Sequence, residues 1–466
     1  MTTWSSLPGE IRLLILGGLA DAHTSEGPTR GLAKHSCVSR EWQRFFEPKI
    51  YHHFILDPCD VPEFKAILRS HRRQRLVRHI LLQVGLTHRA ETQHALQLFP
   101  CADSVLSAEK QCDKRFSHAL WYLFHVLSRW DTRGGPGVTL ELGTYSPFEN
   151  TARELWDYER DDNGGGTTEC YSRFLESPSA GGYATRNDPI VELMDVFSAP
   201  EGSGVGSGAW KWVLGKVIGR RGLRVDLEAA IPGGVLELPA VPAVTGFLVR
   251  LRSFRNFDPK TLARILECLP RVKDVHVERW RHADGSLDWK WDKRVAKMLA
   301  KHLPTSARSL TLFDEFDTAF HQQPGKAADA VPVPRLPGVV LAASRRLENV
   351  AVSFLVDARD FFEPFMPGSQ PPARLRWNRL TSLALTSSVL TSESGTAVNE
   401  LLQAAAAAAM RMPKLRVLEL WDRRGKDAAV FRYKTMDRRS VISWRGTSKV
   451  DIHKDTLKAW EDVVLH

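Results

Sequence analysis

Apolar residues recur with helical spacing near the amino-terminal end of the chain. Ile11, Leu14, Ile15 and Leu19 occupy positions i, i+3, i+4 and i+8, which form one face of a helix with a 3.6-residue period. The pattern predicts a helix over residues 7–20. A stripe of this kind is typical of a helix that buries one face for stability alone.

Two further helical patterns follow this first one. A polar stretch over residues 21–31 contains glycine, proline, serine and threonine and predicts a loop. Residues 32–37 then predict a short second helix. In the third helix Val38, Trp42, Phe45 and Phe46 share a face, and Pro48 is expected to limit it. Together these segments predict a three-helix module over residues 1–55.

Residues 56–235 predict a mixed α/β region with long loops. Alternating apolar residues predict strands within 75–86 and 137–145, and an apolar, aromatic run predicts a helix over 116–130. Residues 157–166 are acidic and rich in glycine, and residues 177–208 are rich in serine, glycine and proline. Such compositions bury little apolar surface, so we expect exposed loops there.

From residue 236 to residue 425 the chain alternates short apolar strands with helices. The strand-like segments are 247–251, 272–277, 309–312, 347–352, 380–385 and 415–420. Helical stretches fall between them, and several end in Leu-Pro or Met-Pro. The repeat is longer and less regular than the roughly 20 to 29 residues of typical leucine-rich repeats. We therefore predict an irregular, leucine-rich-repeat-like solenoid of strand-helix units.

The remaining residues, 426–466, predict a cap for this array. Residues 430–435 and 440–444 alternate around a short connection, which predicts a β-hairpin. A closing helix over residues 455–464 places Leu457, Trp460 and Val464 on one face. Terminal units must present a soluble surface, and this hairpin and helix fit that requirement.

Composition is ordinary for a soluble globular protein. The 466 residues are 43% hydrophobic and 25% charged, and this length predicts two or three domains. The first twelve residues lack a basic segment followed by an apolar run, and no stretch approaches the roughly 20 apolar residues of a membrane span. We expect a protein without a membrane partner, located in the cytoplasm, the nucleus or both.

The sequence has none of the compact motifs of common catalytic sites. It lacks a His-Glu-x-x-His segment, a P-loop and a Gly-x-Ser-x-Gly segment. The glycine-rich residues 202–208 follow no predicted strand and predict a linker. The sixteen histidines and six cysteines are dispersed, which predicts buried, reduced thiols and neither a metal site nor a cofactor. We predict that the chain is not an enzyme.

Charge adds one further possibility. The net charge is +10, and part of it is concentrated in residues 69–75, which include four arginines. Without a recognised motif or interleaved aromatics, this run favours a solvated helix end or an acidic protein partner over nucleic acid.

The two ends of the chain resemble one protein family. At the start, the order Leu7-Pro8-Gly9-Glu10-Ile11 followed by Val38-Ser39-Arg40-Glu41-Trp42 resembles an F-box. At the end, Val430-Phe431-Arg432-Tyr433, Trp444-Arg445-Gly446-Thr447 and Ala459-Trp460-Glu461 resemble a carboxy-terminal domain of unknown function. The chain as a whole is similar to filamentous-fungal F-box proteins that carry such a leucine-rich-repeat-like domain.

The resemblance implies a fold and a function. Residues 1–55 would form a three-helix F-box whose apolar residues partly build the bundle and partly contact a Skp-type adaptor. The matching positions are Leu7, Pro8, Ile11, Leu14, Ile15, Val38 and Trp42, with Trp42 equally suited to the core. The chain would be the non-catalytic substrate receptor of an SCF-type ubiquitin ligase, joined to a cullin through the adaptor. Residues 21–31 form a longer loop than a compact F-box has.

The alternatives are an F-box scaffold acting outside a ligase, or a nucleic-acid binder or unrecognised enzyme within residues 56–235. If the chain is a substrate receptor, a protein target of unknown identity binds the carboxy-terminal scaffold. Aromatic and basic residues just past predicted strand ends are candidate contacts, namely Trp280, Arg281, Trp421, Arg423 and Arg424. The same tryptophans could instead pack under loops.

Overall fold

The computed structural model describes most of the chain outside a few segments. The described residues are 4–24, 31–86, 102–131, 135–145, 218–219, 221–231, 233, 237–251, 253–282, 285–315, 336–392, 394–424, 427–436, 439–447 and 449–465. The loops predicted over 157–166 and 177–208 lie outside these residues, so those predictions remain predictions.

One eleven-stranded sheet organises the described residues, and its strands follow chain order from β1 to β11. The strands are β1 His53–Leu56, β2 His79–Gly85, β3 Val138–Tyr145, β4 Val244–Val249, β5 Asp274–Trp280, β6 Ser309–Glu315, β7 Asn349–Asp357, β8 Ser382–Thr386, β9 Val417–Arg424, β10 Asp427–Met436 and β11 Arg439–Gly446. The first nine strands pair in parallel, whereas β9, β10 and β11 pair antiparallel.

Thirteen α-helices accompany this sheet in the described residues. They are α1 Gly9–Thr24, α2 Leu32–Ser36, α3 Arg40–Ile50, α4 Val61–Ile67, α5 His71–Gln74, α6 Ala102–Leu127, α7 Leu227–Ala230, α8 Pro259–Glu267, α9 Gly285–Lys301, α10 Leu336–Ser344, α11 Ala358–Phe361, α12 Gly395–Ala409 and α13 Lys454–Leu465. Strand and helix alternate through most of the chain, so the α/β class predicted from the sequence is confirmed.

The strand predictions are confirmed with small shifts in their bounds. All six strand-like segments between residues 247 and 420 form strands, and so do the segments within 75–86 and 137–145. The sheet is continuous across the domain boundaries expected at residues 235 and 425, because β3 pairs with β4 and β9 pairs with β10.

One face of the sheet forms the main core. Alternation along each strand turns every second residue to this face, and paired positions line up across neighbouring strands. Leu140, Phe247, Val275, Leu310 and Val350 form such a row, and all are almost fully buried. The same core contains the apolar residues of the connecting helices. The strands and helices therefore bury each other's apolar faces, which neither could do alone.

The closing hairpin and helix are present, but the helix buries a different stripe from the one predicted. Trp460 is buried and packs against Phe431 and Tyr433 of β10, with ring centroids 5.0 and 5.2 Å away. Leu457 and Val464 are exposed. The buried stripe runs through Thr456 and Trp460, with Ala459 and Val463 packed at its edge, because α13 is rotated relative to the predicted face.

The amino-terminal helices differ from prediction at their ends. α1 begins at Gly9, so Pro8 lies just before the helix. The helix continues to Thr24, which lies within the expected loop. α3 continues through Pro48 to Ile50. Proline removes one backbone donor, but the bond from Tyr51 N–H to the Glu47 carbonyl, at 2.9 Å, still closes the last turn. Among the described helices, none is long and apolar enough to cross a membrane.

Candidate functional site

The helices α1, α2 and α3 share a small core of their own. Leu16 and Ala20 of α1, Leu32 of α2 and Phe46 of α3 are buried together. Trp42, which the sequence assigned either to the core or to a partner, is half-buried against this cluster, with its ring 5.4 Å from that of Trp4. The bundle therefore uses only part of the apolar surface that its sequence provides.

The rest of that apolar surface lies on the outside of α1. Ile11, Leu13, Leu14 and Ile15 are between 41% and 71% exposed. Ile11, Leu14 and Ile15 have i, i+3, i+4 spacing, so they lie side by side on the helix. These three side chains face away from the bundle core, so the interpretation in which the stripe is buried for stability alone is wrong for them. Leu19, the fourth residue of the predicted stripe, is partly buried against that core.

Three further residues of the predicted contact set lie at the edges of this helix and bundle. Leu7 is half-buried and Pro8 is exposed, and both immediately precede α1. Val38, in the turn between α2 and α3, is 61% exposed. Six of the seven positions predicted to meet an adaptor are thus at least partly accessible outside the core, and Leu13 joins them. Leu13 was not among the predicted contacts. The almost unbroken apolar run from Ile11 to Leu16 covers more than one side of the helix, and this indicates that part of it is exposed.

Polar contacts fix α1 against α3. Glu41 accepts hydrogen bonds from the indole N–H of Trp4 and from the guanidinium of Arg12, both at 2.9 Å. Ser39 caps α3 by accepting a hydrogen bond from the backbone N–H of Trp42. These contacts hold the exposed stripe of α1 in one orientation, which is the pre-organisation that a docking surface needs.

A buried carboxylate joins the bundle to the next part of the chain. Glu47 of α3 accepts hydrogen bonds from Nε and Nη2 of Arg73 on α5, at 3.0 and 2.9 Å. Arg72 approaches the same carboxylate to 3.2 Å, and Arg73 also lies over the ring of Tyr51. The basic run over residues 69–75 is therefore partly used within the chain, which reduces the cationic surface left for a partner.

The five candidate target contacts separate into two groups. Trp280 is almost fully buried, and its indole N–H donates to the carbonyl of Leu251 at 2.8 Å. Arg281 is largely buried, with Nε 3.5 Å from a carboxylate oxygen of Asp288. These two residues pack inside the fold, as the alternative interpretation of the tryptophans proposes.

The other three candidates lie at the surface of β9. Trp421 is half-buried on the face of the sheet opposite the core, with its ring 5.1 Å from that of Phe354. Arg423 and Arg424 are exposed at the end of the strand, and Nε of Arg424 lies 3.2 Å from Asp422. Phe354 and Phe313 were not predicted as contacts, because nothing in the sequence brings positions so far apart together.

A buried ion cluster surrounds Arg279. Arg279 donates to both oxygens of Asp314, at 2.9 and 2.6 Å, and to Asp288 and Asp292, at 2.9 and 3.2 Å. Its guanidinium also lies 3.7 Å from the ring centroid of Trp291. Burial, and then the neighbouring carboxylates, raise the pKa of Asp292 to about 7. Arg279 on β5 donates hydrogen bonds to Asp314 on β6 and to Asp288 and Asp292 on α9. The cluster therefore connects these three elements.

Two clefts border the sheet elsewhere. One, of about 480 Å³, is lined by residues that include Lys114, His118 and Tyr145, and a second, of about 370 Å³, is lined by Arg221 and its neighbours. Neither is lined by the Arg279 cluster. Within the described part of the chain, no group of three metal-ligating side chains is present.

The described cysteines are free but not uniformly buried. Cys112 is buried, whereas Cys37 and Cys59 are exposed, so the expectation of buried thiols is wrong for those two. Burial raises the pKa of the half-buried Cys268 thiol to about 11, which makes it a poor nucleophile at neutral pH.

The carboxy-terminal part of the chain matches the model of a known family. Residues 302–466, a little over a third of the chain, match a model described as "Family of unknown function (DUF6546)". The match begins just before β6, includes the hairpin and closing helix, and leaves the amino-terminal bundle outside its bounds. No curated protein matches the chain. Residues 302–466 are therefore similar to a family whose function is itself unknown.

Proposed function

We propose that this chain is a non-catalytic substrate receptor of an SCF-type ubiquitin ligase. In this proposal the amino-terminal bundle is an F-box that docks onto a Skp-type adaptor, and through it onto a cullin. The later strand-helix units, arranged as a leucine-rich-repeat-like solenoid, hold the protein target. Transfer of ubiquitin then gains from effective concentration, and no chemistry is assigned to this chain.

The observation that carries the proposal is the outward-facing stripe of Ile11, Leu14 and Ile15. A small module with a core of four fully buried residues leaves these large aliphatic side chains in water. Exposed apolar groups of this kind mark protein-interaction surfaces when they are adjacent. They also occupy the positions at which the sequence resembles an F-box, together with Pro8 and Val38.

The test is co-purification of the full chain with a fungal Skp-type adaptor. We expect stoichiometric capture by the wild-type chain and loss of capture by a Leu14→Ala/Ile15→Ala double variant. A Val441→Ala/Leu457→Ala variant is the matched control, because it shortens two aliphatic side chains that are similarly exposed outside the bundle. Thermal unfolding checks that all three proteins are folded.

Two outcomes separate the proposal from its alternatives. Failure of the folded wild-type chain to capture the adaptor would overturn it and direct attention to residues 56–235. Capture of the adaptor without recruitment of a cullin would favour the F-box scaffold acting outside a ligase. Adding the cullin to the captured complex distinguishes these cases.

A further inference from the structure

The face of β9, β10 and β11 that points away from the core is strongly basic. Leu418, Leu420, Phe431 and Tyr433 are buried on the other face, so alternate positions along each strand are turned outward. The outward cations are Arg423 on β9, Arg432 and Lys434 on β10, and Arg439 and Arg445 on β11, and all five are exposed. The one carboxylate at the described outward positions of these strands is Glu419.

Glu419 does not neutralise this surface. Its carboxylate accepts a hydrogen bond from Nη2 of Arg432 at 2.6 Å, so it compensates one cation and leaves four. Like charges on neighbouring strands repel each other and weaken the sheet. A surface that keeps them gains from an anionic partner.

Three aromatic side chains border the basic surface on the same face. The ring of Phe354 lies 5.8 Å from that of Phe313 on β6 and 5.1 Å from that of Trp421 on β9, with both pairs edge to face. All three are half-buried, so each keeps accessible apolar surface. Trp421 pairs directly with Val430, which in turn pairs with Arg445, so the aromatic cluster and the cations occupy adjoining positions.

The backbone at Phe354 is strained. This residue has φ of 61°, the left-handed region, at an irregularity of β7 where the register with β8 shifts between Val352 and Asp357. Its N–H donates to Oγ1 of Thr386 at 2.7 Å, which holds the conformation. Such a conformation is unfavourable by about 1–3 kcal/mol for a bulky residue and is concentrated at functional positions. Here it places the ring between Phe313 and Trp421.

The opposite side of the aromatic cluster carries the opposite charge. On the same face, β5 presents Asp274 and a largely buried Glu278 whose carboxylate lies 2.6 Å from Nε2 of His276, and β6 presents Glu315. The outward face is therefore acidic over β5 and β6, aromatic in the middle and basic over β9 to β11. A ligand bound across it has one favoured direction.

We propose that this face binds an acidic segment of a protein partner, anchored by an aliphatic or aromatic side chain against Phe313, Phe354 and Trp421. From β9 to β11 is about 10 Å, two steps of roughly 4.8 Å, which an extended peptide spans with about three residues. The acidic side chains therefore lie within about three residues of the anchor, on one side of it. The statement that this peptide belongs to the target of the ligase rests on the proposed function. The binding of an acidic peptide to this face does not depend on that function.

The same observations favour a peptide over nucleic acid. A phosphate backbone that continued across the face would meet the carboxylates of Asp274 and Glu315, whose charges repel it. The ring of Phe354 is also engaged edge to face with those of Phe313 and Trp421, whereas stacked bases need open ring faces.

The test uses the full chain and a random-peptide display library. We expect enrichment of sequences with an apolar anchor and neighbouring Asp or Glu. The affinity of a labelled enriched peptide should fall about tenfold or more in an Arg432→Glu/Arg445→Glu variant and weaken with added salt. Arg374→Glu is the control, because it reverses the charge of an exposed arginine outside this face.

Three results would overturn the inference. They are enrichment of sequences without acidic residues, equal binding by the charge-reversed variant and wild type, and tighter binding of a single-stranded oligonucleotide that the reversal abolishes. Adaptor capture by the charge-reversed variant is measured in parallel. Retained capture with no acidic peptide binding would reject this inference alone, whereas loss of capture by every folded protein would reject the proposed function.

Discussion

Leu14 and Leu16 lie two positions apart on α1 and have opposite environments. Leu14 is 71% exposed, whereas Leu16 is fully buried against Ala20, Leu32 and Phe46. A rotation of about 200° along the helix separates the two side chains, so one faces solvent and the other faces the bundle core.

Alanine at these two positions should therefore act on different properties. Leu16→Ala removes a buried side chain and should lower the free energy of unfolding of the bundle by about 2–5 kcal/mol. Leu14→Ala should change that free energy by less than about 0.5 kcal/mol and reduce adaptor binding instead. Urea denaturation and adaptor pull-down measure the two effects. Equal destabilisation by both substitutions would contradict the orientation of α1.

Arg73→Ala should weaken the junction between the bundle and the sheet. It removes two hydrogen bonds from the buried carboxylate of Glu47, and Arg72 remains as the other basic side chain close to it. Because Arg73 is partly exposed, we expect a loss of about 1–3 kcal/mol in unfolding free energy. Hydrogen exchange of α3 amides locates the effect.

The control for that substitution is Arg75→Ala. Arg75 is also in the basic run, but it is about half exposed and contacts Asp131 at 3.4 Å. A surface pair of this kind contributes little to stability. Equal effects of the two substitutions would show that the Glu47–Arg73 contact does not join the two parts of the chain.

Asp292 should make stability fall as the pH rises. Burial raises its pKa from an ordinary value of 3.8 to about 7 in the folded chain. Between these values the folded state holds a proton that the unfolded state has lost. The contribution of Asp292 to the free energy of unfolding therefore decreases from about pH 4 to about pH 7 and is level on either side. Urea denaturation across this range measures the slope.

Asp292→Asn should flatten that dependence. The asparagine carbonyl can still accept from Nη2 of Arg279, while the titrating proton is gone. Asp274→Asn, on the exposed first residue of β5, should leave the slope in place. An unchanged slope in the Asp292→Asn variant would show that other groups determine the pH dependence.

Phe354 should be replaced more easily by glycine than by alanine. Glycine adopts φ of 61° without steric conflict, whereas alanine keeps the strain and loses the ring contacts. We expect Phe354→Gly to be more stable than Phe354→Ala by about 1 kcal/mol. Both should bind the enriched acidic peptide weakly, since both lack the ring. A more stable alanine variant would contradict the strained backbone.

Local patterns were sufficient for much of this fold. Period-two alternation located the strands, because each strand has one face in the core, as in Leu310 and Leu312 of β6. Helical period located α1 and α13 but did not give their buried faces. On α1 nearly every position from Ile11 to Leu16 is apolar, so the period alone could not separate the core residue Leu16 from the exposed stripe.

Features that join distant positions could not be predicted from one sequence. The Arg279 cluster collects carboxylates from positions 288, 292 and 314, and no local pattern relates them. The aromatic cluster likewise depends on the register of β6, β7 and β9 and on the irregular backbone at Phe354. Trp421 was chosen for its type and place after a strand, but its neighbours follow only from the fold.

The chain order of the strands has a consequence for how this protein can change in length. β3 ends at Tyr145 and β4 begins at Val244, yet the two pair directly and in parallel. Because each connection leaves one strand and returns to the next, the size of a connection does not alter which strands meet. Insertions and deletions between strands are therefore tolerated without rearranging the sheet, and the basic face of β9 to β11 can diversify independently of the amino-terminal bundle.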